Sequence, residues 1–163
     1  MYIAIVVGGR YGIMFWLLKL LIKLNFPNVK SIKISQFILW QDKKFSSIPL
    51  ILDARSHEEY AVSHIKLAQL IKPTGSVISA LSEVPLNTNI VVYCSVGYRS
   101  AKVAQQLQLA GYQNVFNLSG GIFQWANKGK PIFTDKHQVE TVHPYNFIWG
   151  KLLKSKYHAD IKE

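Results

Sequence analysis

Four consecutive apolar residues, Ile90-Val91-Val92-Tyr93, constrain this chain more than any other segment. β-branched and aromatic side chains suit an extended backbone. A continuous apolar run bounded by turn signals is what a strand buried on both faces requires. Such a strand belongs inside a parallel sheet covered by helices, so the neighbouring sequence should alternate strand and helix signals. Pro49 to Asp53, Ala68 to Ile71 and Val115 to Leu118 read as further short strands, and Ile32 and Ile34 alternate with polar neighbours. Between them, Ser35 is placed to cap a helix through Trp40, and Ser56 a helix with Glu58 and Glu59 in its first turn. Residues 75–84, Ser100 to Ala110 (stopped by Gly111) and Gly121 to Asn127 complete the helices. The predicted fold is α/β, a doubly wound parallel sheet of about five strands with helices on both faces and extensions at both ends.

The expected division is an apolar, basic extension over residues 1–30, the α/β domain over 31–133 and a tail over 134–163. Hydrophobic residues make up 49% of the chain, which excludes a mainly disordered protein. The formal charge is +10, and residues 1–48 carry seven basic groups against Asp42 alone. A basic excess suits an anionic substrate, anionic lipid or an acidic protein partner. No extended Lys/Arg block and no zinc-finger or RNA-recognition signature is present, so nucleic acid is not expected as a partner. Cys94 is the sole cysteine. It excludes an internal disulfide, a Cys-based zinc cluster and a second thiol on the same chain, and fits a reducing, cytoplasmic setting.

Tyr2 to Val7, followed by Gly8-Gly9, reads as a short strand and turn. Residues 13–24 are then apolar except for Lys19 and Lys23, which share one helical face with Phe15 and Trp16 at its edges. The apolar runs are too short for a spanning helix, and no secretory cleavage pattern follows them. Three placements fit this helix: packed on the domain with lysine stems along its rim, lying on anionic lipid as a weak peripheral contact, or docked to a partner.

In parallel α/β sheets, ligands sit beyond the carboxyl ends of the strands. Cys94 lies there, directly after the strongest strand, and Ser95, Val96, Gly97, Tyr98 and Arg99 lead into the helix begun by Ser100. Consecutive loop amides can curl around one centre, the helix start adds unpaired N–H groups, and Arg99 adds a planar cation. All three favour the thiolate over the thiol and suit a nucleophile acting on an anion. A lone cysteine ending a buried strand is otherwise a small core residue; the glycine, arginine and serine that follow distinguish this one.

Cys94-Ser-Val-Gly-Tyr-Arg99-Ser100-Ala101 resembles the active loop of the rhodanese homology domain. Leu52-Asp53-Ala54-Arg55 with Glu58-Glu59-Tyr60, His64-Ile65, Leu109-Ala110-Gly111-Tyr112, and Leu118-Ser119-Gly120-Gly121 with Trp125 resemble its other motifs in order, over about residues 31–133. Ser63 stands where the family has Gly, Lys66-Leu67 replace Pro-Gly, and Ser95 replaces an Arg of many relatives. The resemblance implies a single-domain sulfurtransferase with Cys94 as nucleophile and the loop from Ser95 to Ser100 as substrate-binding residues. A small anionic sulfur donor such as thiosulfate, or a persulfide, would supply sulfur to Cys94, and cyanide or a thiol would accept it, with no cofactor or metal. Two other readings are a non-catalytic rhodanese-like binding module and a related phosphatase or arsenate reductase. The latter needs Cys-x5-Arg, whereas Arg99 gives Cys-x4-Arg.

Asp53 and Arg55 read as a structural pair, Glu59 as partner to a nearby base, and Trp125 as core. His57 and His64 lack metal-ligand spacing. Tyr98, inside the loop, is placed to line the donor pocket.

Overall fold

The computed structural model describes residues 10–42, 48–71 and 77–161. The strand expected at Tyr2 to Val7 lies outside them. Five parallel strands form one sheet in the order β1-β5-β4-β2-β3. They are β1 (Lys30–Ile32), β2 (Leu50–Asp53), β3 (Gln69–Leu70), β4 (Asn89–Tyr93) and β5 (Asn114–Leu118). β4 is central, with Ile51 opposite Val91 on one side and Phe116 opposite Val91 on the other.

The strand alternation divides the interior in two. Ile51, Val91, Tyr93 and Leu118 point into one core with α1 (Arg10–Asn25), α2 (Ile34–Gln41) and α6 (Gly121–Asn127). Leu52, Ile90, Val92 and Val115 point into the other with α4 (Val77–Ala80) and α5 (Tyr98–Leu109). Helices therefore cover both faces, as the apolar β4 requires: Ile90 through Tyr93 are fully buried. α3 (His57–Val62) connects β2 to β3.

Several boundaries differ from the sequence expectation for local reasons. α2 is preceded by Lys33, whose N–H donates to Gln36 Oε1 at 3.2 Å, so Ser35 is inside the helix and not its cap. α5 begins at Tyr98 with Gly97 as its cap at φ +112°, so Ser100 sits in the first turn with its side chain free for other partners. Of the expected helix over 75–84, the described part is one turn, Val77–Ala80, followed by non-helical turns. Leu67 takes φ +66°, in the left-handed region. A leucine incurs strain in that region.

Both extensions pack on the domain. Phe15, Leu18 and Ile22 of α1 are 3–7% exposed and join the core under β1 and β4. Phe15 is thus core, whereas Trp16 is 62% exposed, so the two do not flank a common face. In the tail, Val142, Leu152 and Leu153 are buried in the same core. Asn127 fixes the tail, donating from Nδ2 to the Leu152 carbonyl and accepting from the Lys154 amide, both at 2.8 Å. β6 (Ile132–Phe133), at the end of the domain, pairs antiparallel with β7 (Gln138–Val139) of the tail, which also carries α7 (Phe147–Gly150).

Candidate active site

Cys94 follows the last residue of the central strand and is 1% exposed. The Gly97 amide donates to Sγ at 3.1 Å, across the tight turn that the positive φ of Gly97 permits. A side chain at position 97 would also press on Ile22 of α1, so the amino-terminal extension abuts the loop directly. The first turn of α5 begins at the next residue, and its positive dipole end faces the same region.

The loop backbone is held from behind by α6. The Ile122 amide donates to the Cys94 carbonyl at 2.9 Å and the Phe123 amide to the Ser95 carbonyl at 3.0 Å. Gly121, at φ +57°, makes this approach feasible, because a Cβ there would overlap the Cys94 and Ser95 carbonyls. A second brace comes from β5. Asn117 is 1% exposed, donates to the Gly97 carbonyl at 2.9 Å and accepts from the Ser100 hydroxyl at 2.7 Å. Ser100 Oγ also lies 3.4 Å from Sγ. Asn117 was not singled out from sequence. Its signal is a polar residue at a buried position of an otherwise apolar strand, which must find internal partners.

Arg99 does not point freely toward an incoming anion. Its Nη1 donates to Glu59 Oε2 at 2.7 Å and its Nη2 to Glu59 Oε1 at 2.8 Å, and Nη2 also donates to Ser95 Oγ at 2.9 Å. The Ser95 hydroxyl donates to Glu59 Oε1 at 2.8 Å. Glu59 closes the α3 capping box as well, accepting from the Ser56 amide at 3.0 Å. Burial pushes the Glu59 carboxyl up, but the bonds from Arg99, the Ser56 amide and Ser95, with the Arg99 charge, outweigh it and leave its pKa at about 2. Glu59 likewise holds the Arg99 guanidinium above its ordinary value against burial, with Cys94 contributing. The cation expected to meet the donor is therefore already paired.

A cavity of about 330 Å³ opens onto Cys94. Ser95, Val96, Tyr98 and Arg99 of the loop line it, as do Leu21 of α1 and Tyr145 and Trp149 of the tail. The structure thus brings Tyr98 to the cavity, its ring edge-on to Phe26 at 5.3 Å. The lining from both extensions was not anticipated. A larger cavity of about 610 Å³, between Tyr11 and the tail, does not reach Cys94 and holds no comparable chemistry.

Other expected residues are structural. Asp53 and Arg55 are fully buried and pair through Nη2 at 2.6 Å, with Arg55 Nη2 also donating to the Ser63 carbonyl at 2.6 Å. Tyr93 Oη donates to Asp53, and burial and the Asp53 charge hold its pKa well above the usual value. Trp125 is 3% exposed and donates to the Pro131 carbonyl at 2.9 Å. His64 stacks on Tyr60 at 3.9 Å, outside the cavity lining.

A Cys-x4-Arg loop at the end of the central strand of a five-stranded parallel sheet defines a class, and comparison with known proteins gives it a family. Residues 38–128 match the rhodanese-like domain, and the chain belongs to that family. It is 39% identical over 83 residues to a sulfurtransferase of Allochromatium vinosum, across 51% of this chain and 77% of that protein. It is 35% identical over 83 residues to a probable adenylyltransferase/sulfurtransferase MoeZ of Mycobacterium tuberculosis, across half of this chain but 21% of that protein. The crystal structure of the BH2092 protein of Bacillus halodurans shares the fold, with a TM-score of 0.62, 19% identity, and coverage of 86% of this chain and 96% of that one. Similarity to sulfurtransferases supports a transferase of the rhodanese type.

The Glu59 interaction predicts a pH signature. Its folded pKa of about 2 lies below the ordinary 4.5, so its stabilisation is complete above 4.5 and is lost as pH falls toward 2. The size of that shift corresponds to about 3 kcal/mol for this buried carboxylate. Urea unfolding should show Glu59→Gln destabilised by about that amount near neutrality and by much less at about pH 3. A difference unchanged by pH would contradict it.

Proposed function

We propose that this chain is a sulfurtransferase that carries sulfane sulfur on Cys94. The observation that carries the reading is the Cys94 sulfur at the foot of a ligand-sized cavity, receiving the Gly97 amide at 3.1 Å beside the start of α5. The Cys94 thiolate attacks the outer sulfur of thiosulfate or a persulfide. The donor's sulfur–sulfur bond breaks, its electron pair leaves with sulfite or the thiolate, and Cys94 becomes a persulfide. A thiol or cyanide then attacks the terminal sulfur and the Cys94 thiolate departs, a ping-pong sequence. The Gly97 amide and the helix end stabilise negative charge on sulfur as an oxyanion hole does on oxygen. Ser95, Val96, Tyr98, Arg99 and Ser100 shape the loop around it. The Cys-x4-Arg spacing favours sulfur over the larger oxyanion of a phosphatase or arsenate reductase.

Intact mass after incubation with a sulfane donor tests this. The expected result is one added sulfur, removed by cyanide and absent in Cys94→Ser with the fold retained. Sulfur turnover surviving in Cys94→Ser would sink the assignment.

A peripheral lipid contact is a second part of the proposal, supported by α1. Trp16, Leu17, Leu20 and Leu24 form an exposed apolar stripe opposite the packed one. Lys19 stands beside it, its pKa lowered by its own burial and by the charges of Lys128 and Lys33, which marks a basic cluster at the helix edge. Among the described residues no helix is long and apolar enough to cross a membrane. Basic residues contribute about 1 kcal/mol each at an anionic surface. Co-sedimentation with phosphatidylserine vesicles should be salt-sensitive and reduced in Trp16→Ser and Lys19→Glu. Pelleting that neither salt nor these changes affect would contradict it.

A further inference from the structure

The side chains lining the cavity over Cys94 offer a small dianion no unpaired cation. The cavity's one guanidinium, Arg99, is held by both oxygens of Glu59 and by the Ser95 hydroxyl, so the side-chain charge around the sulfur is already balanced. The mouth is built instead from apolar surface that the family's loop does not supply. Leu21 comes from α1, and Tyr145 and Trp149 come from the tail; both segments lie outside residues 38–128. The tail is held there deliberately. Tyr145 takes φ +67°, a strained conformation for a tyrosine, and its amide donates to His143 Nδ1 at 2.9 Å. Asn146 then caps α7 by accepting from the Ile148 and Trp149 amides at 3.0 and 2.9 Å. This turn lays the Tyr145 ring against Arg99, 4.5 Å from the guanidinium carbon. Arg99 is thus sandwiched between a carboxylate and an aromatic ring. The 330 Å³ of the cavity exceeds what one sulfur needs and sits at the lower end of organic-ligand pockets, at about 300 Å³ and above.

We propose that Leu21, Tyr145 and Trp149 form a subsite for the hydrocarbon part of the sulfur donor, so that the donor is an organic persulfide or thiosulfonate bearing an apolar group. The proposal rests on the sulfurtransferase reading and deepens it. The apolar group packs on the subsite while its outer sulfur reaches Cys94 Sγ. The donor's sulfur–sulfur bond breaks as the Cys94–sulfur bond forms, and the electron pair leaves with the organic thiolate or sulfinate. Cys94 keeps the sulfur as a persulfide anion. No oxidant or reductant is needed. Leu21 is the most informative position because it is 46% exposed, so changing it opens no core void.

Two thiosulfonate anions of equal charge, methanethiosulfonate and benzenethiosulfonate, isolate the effect of the hydrocarbon. Single-turnover loading of Cys94 in the full-length protein is followed by intact mass, and each rate is divided by the rate with a free small-molecule thiol. The expected result is a preference for the benzene donor of about tenfold or more, the scale at which an apolar pocket distinguishes hydrocarbon size. Leu21→Ser should lose most of that preference and Leu21→Met should retain it. Tyr145→Ser should lose it as well. Loading without preference, or a preference unchanged in both Leu21→Ser and Tyr145→Ser, would overturn the subsite while leaving sulfur transfer standing. Failure of Cys94 to load from any donor would overturn both.

Discussion

The carboxylate of Glu59 is the point on which the catalytic loop depends. It is 2% exposed and receives four donors: the Ser56 amide, the Ser95 hydroxyl and two nitrogens of Arg99. One end of this arrangement starts α3 and the other fixes the first turn of α5. Removing one partner from a buried ion pair costs more than the pair itself contributes, because the remaining charge is left without compensation. The loop around Cys94 therefore has little freedom to choose another shape. Arg99 serves as a strut in that arrangement before it serves any substrate.

The sulfur is positioned by three independent contacts with neighbouring elements. α6 donates two amides to the carbonyls of Cys94 and Ser95, which Gly121 allows by having no side chain. Asn117 on β5 joins the Gly97 carbonyl to the Ser100 hydroxyl. A hydroxyl has one hydrogen to give, and at 2.7 Å Asn117 is the nearer acceptor. Ile22 of α1 closes the outer side of Gly97. Such bracing is the rigidity a nucleophile needs when its attack geometry sets the rate.

Features carried by local sequence were legible, and those carried by long-range packing were not. The apolar run at β4 announced a doubly covered sheet because burial on both faces leaves no room for alternation. The helix Gly121–Asn127 and the stop at Gly111 followed from turn chemistry. Arg99 was legible as part of the loop and Glu59 as the partner of a nearby base, but that the two meet across 40 residues was not. Ser100 suggested a cap by its type, whereas the left-handed Gly97 starts the helix and frees Ser100 to face the sulfur. α1 concealed its orientation because both of its stripes are apolar. Phe15, Leu18 and Ile22 are buried while Trp16, Leu17 and Leu24 are exposed, and because both faces are apolar, hydrophobicity does not tell the packed one from the exposed one. The meeting of Leu21 with Tyr145 and Trp149 joins opposite ends of the chain, and no local pattern encodes it.

A rhodanese-type loop is thus placed beneath a roof built from segments outside residues 38–128, with its arginine committed to the scaffold. Sulfur loading of Cys94 in Glu59→Gln, Arg99→Gln and the double variant, measured with thiosulfate, tests that commitment most directly. Residues that act as one unit are non-additive, whereas independent contributions multiply in rate. If Arg99 works through Glu59, the double variant should load no more slowly than the slower single variant. If the two losses multiply, Arg99 binds the donor independently of Glu59, and the structural role assigned to the pair is contradicted.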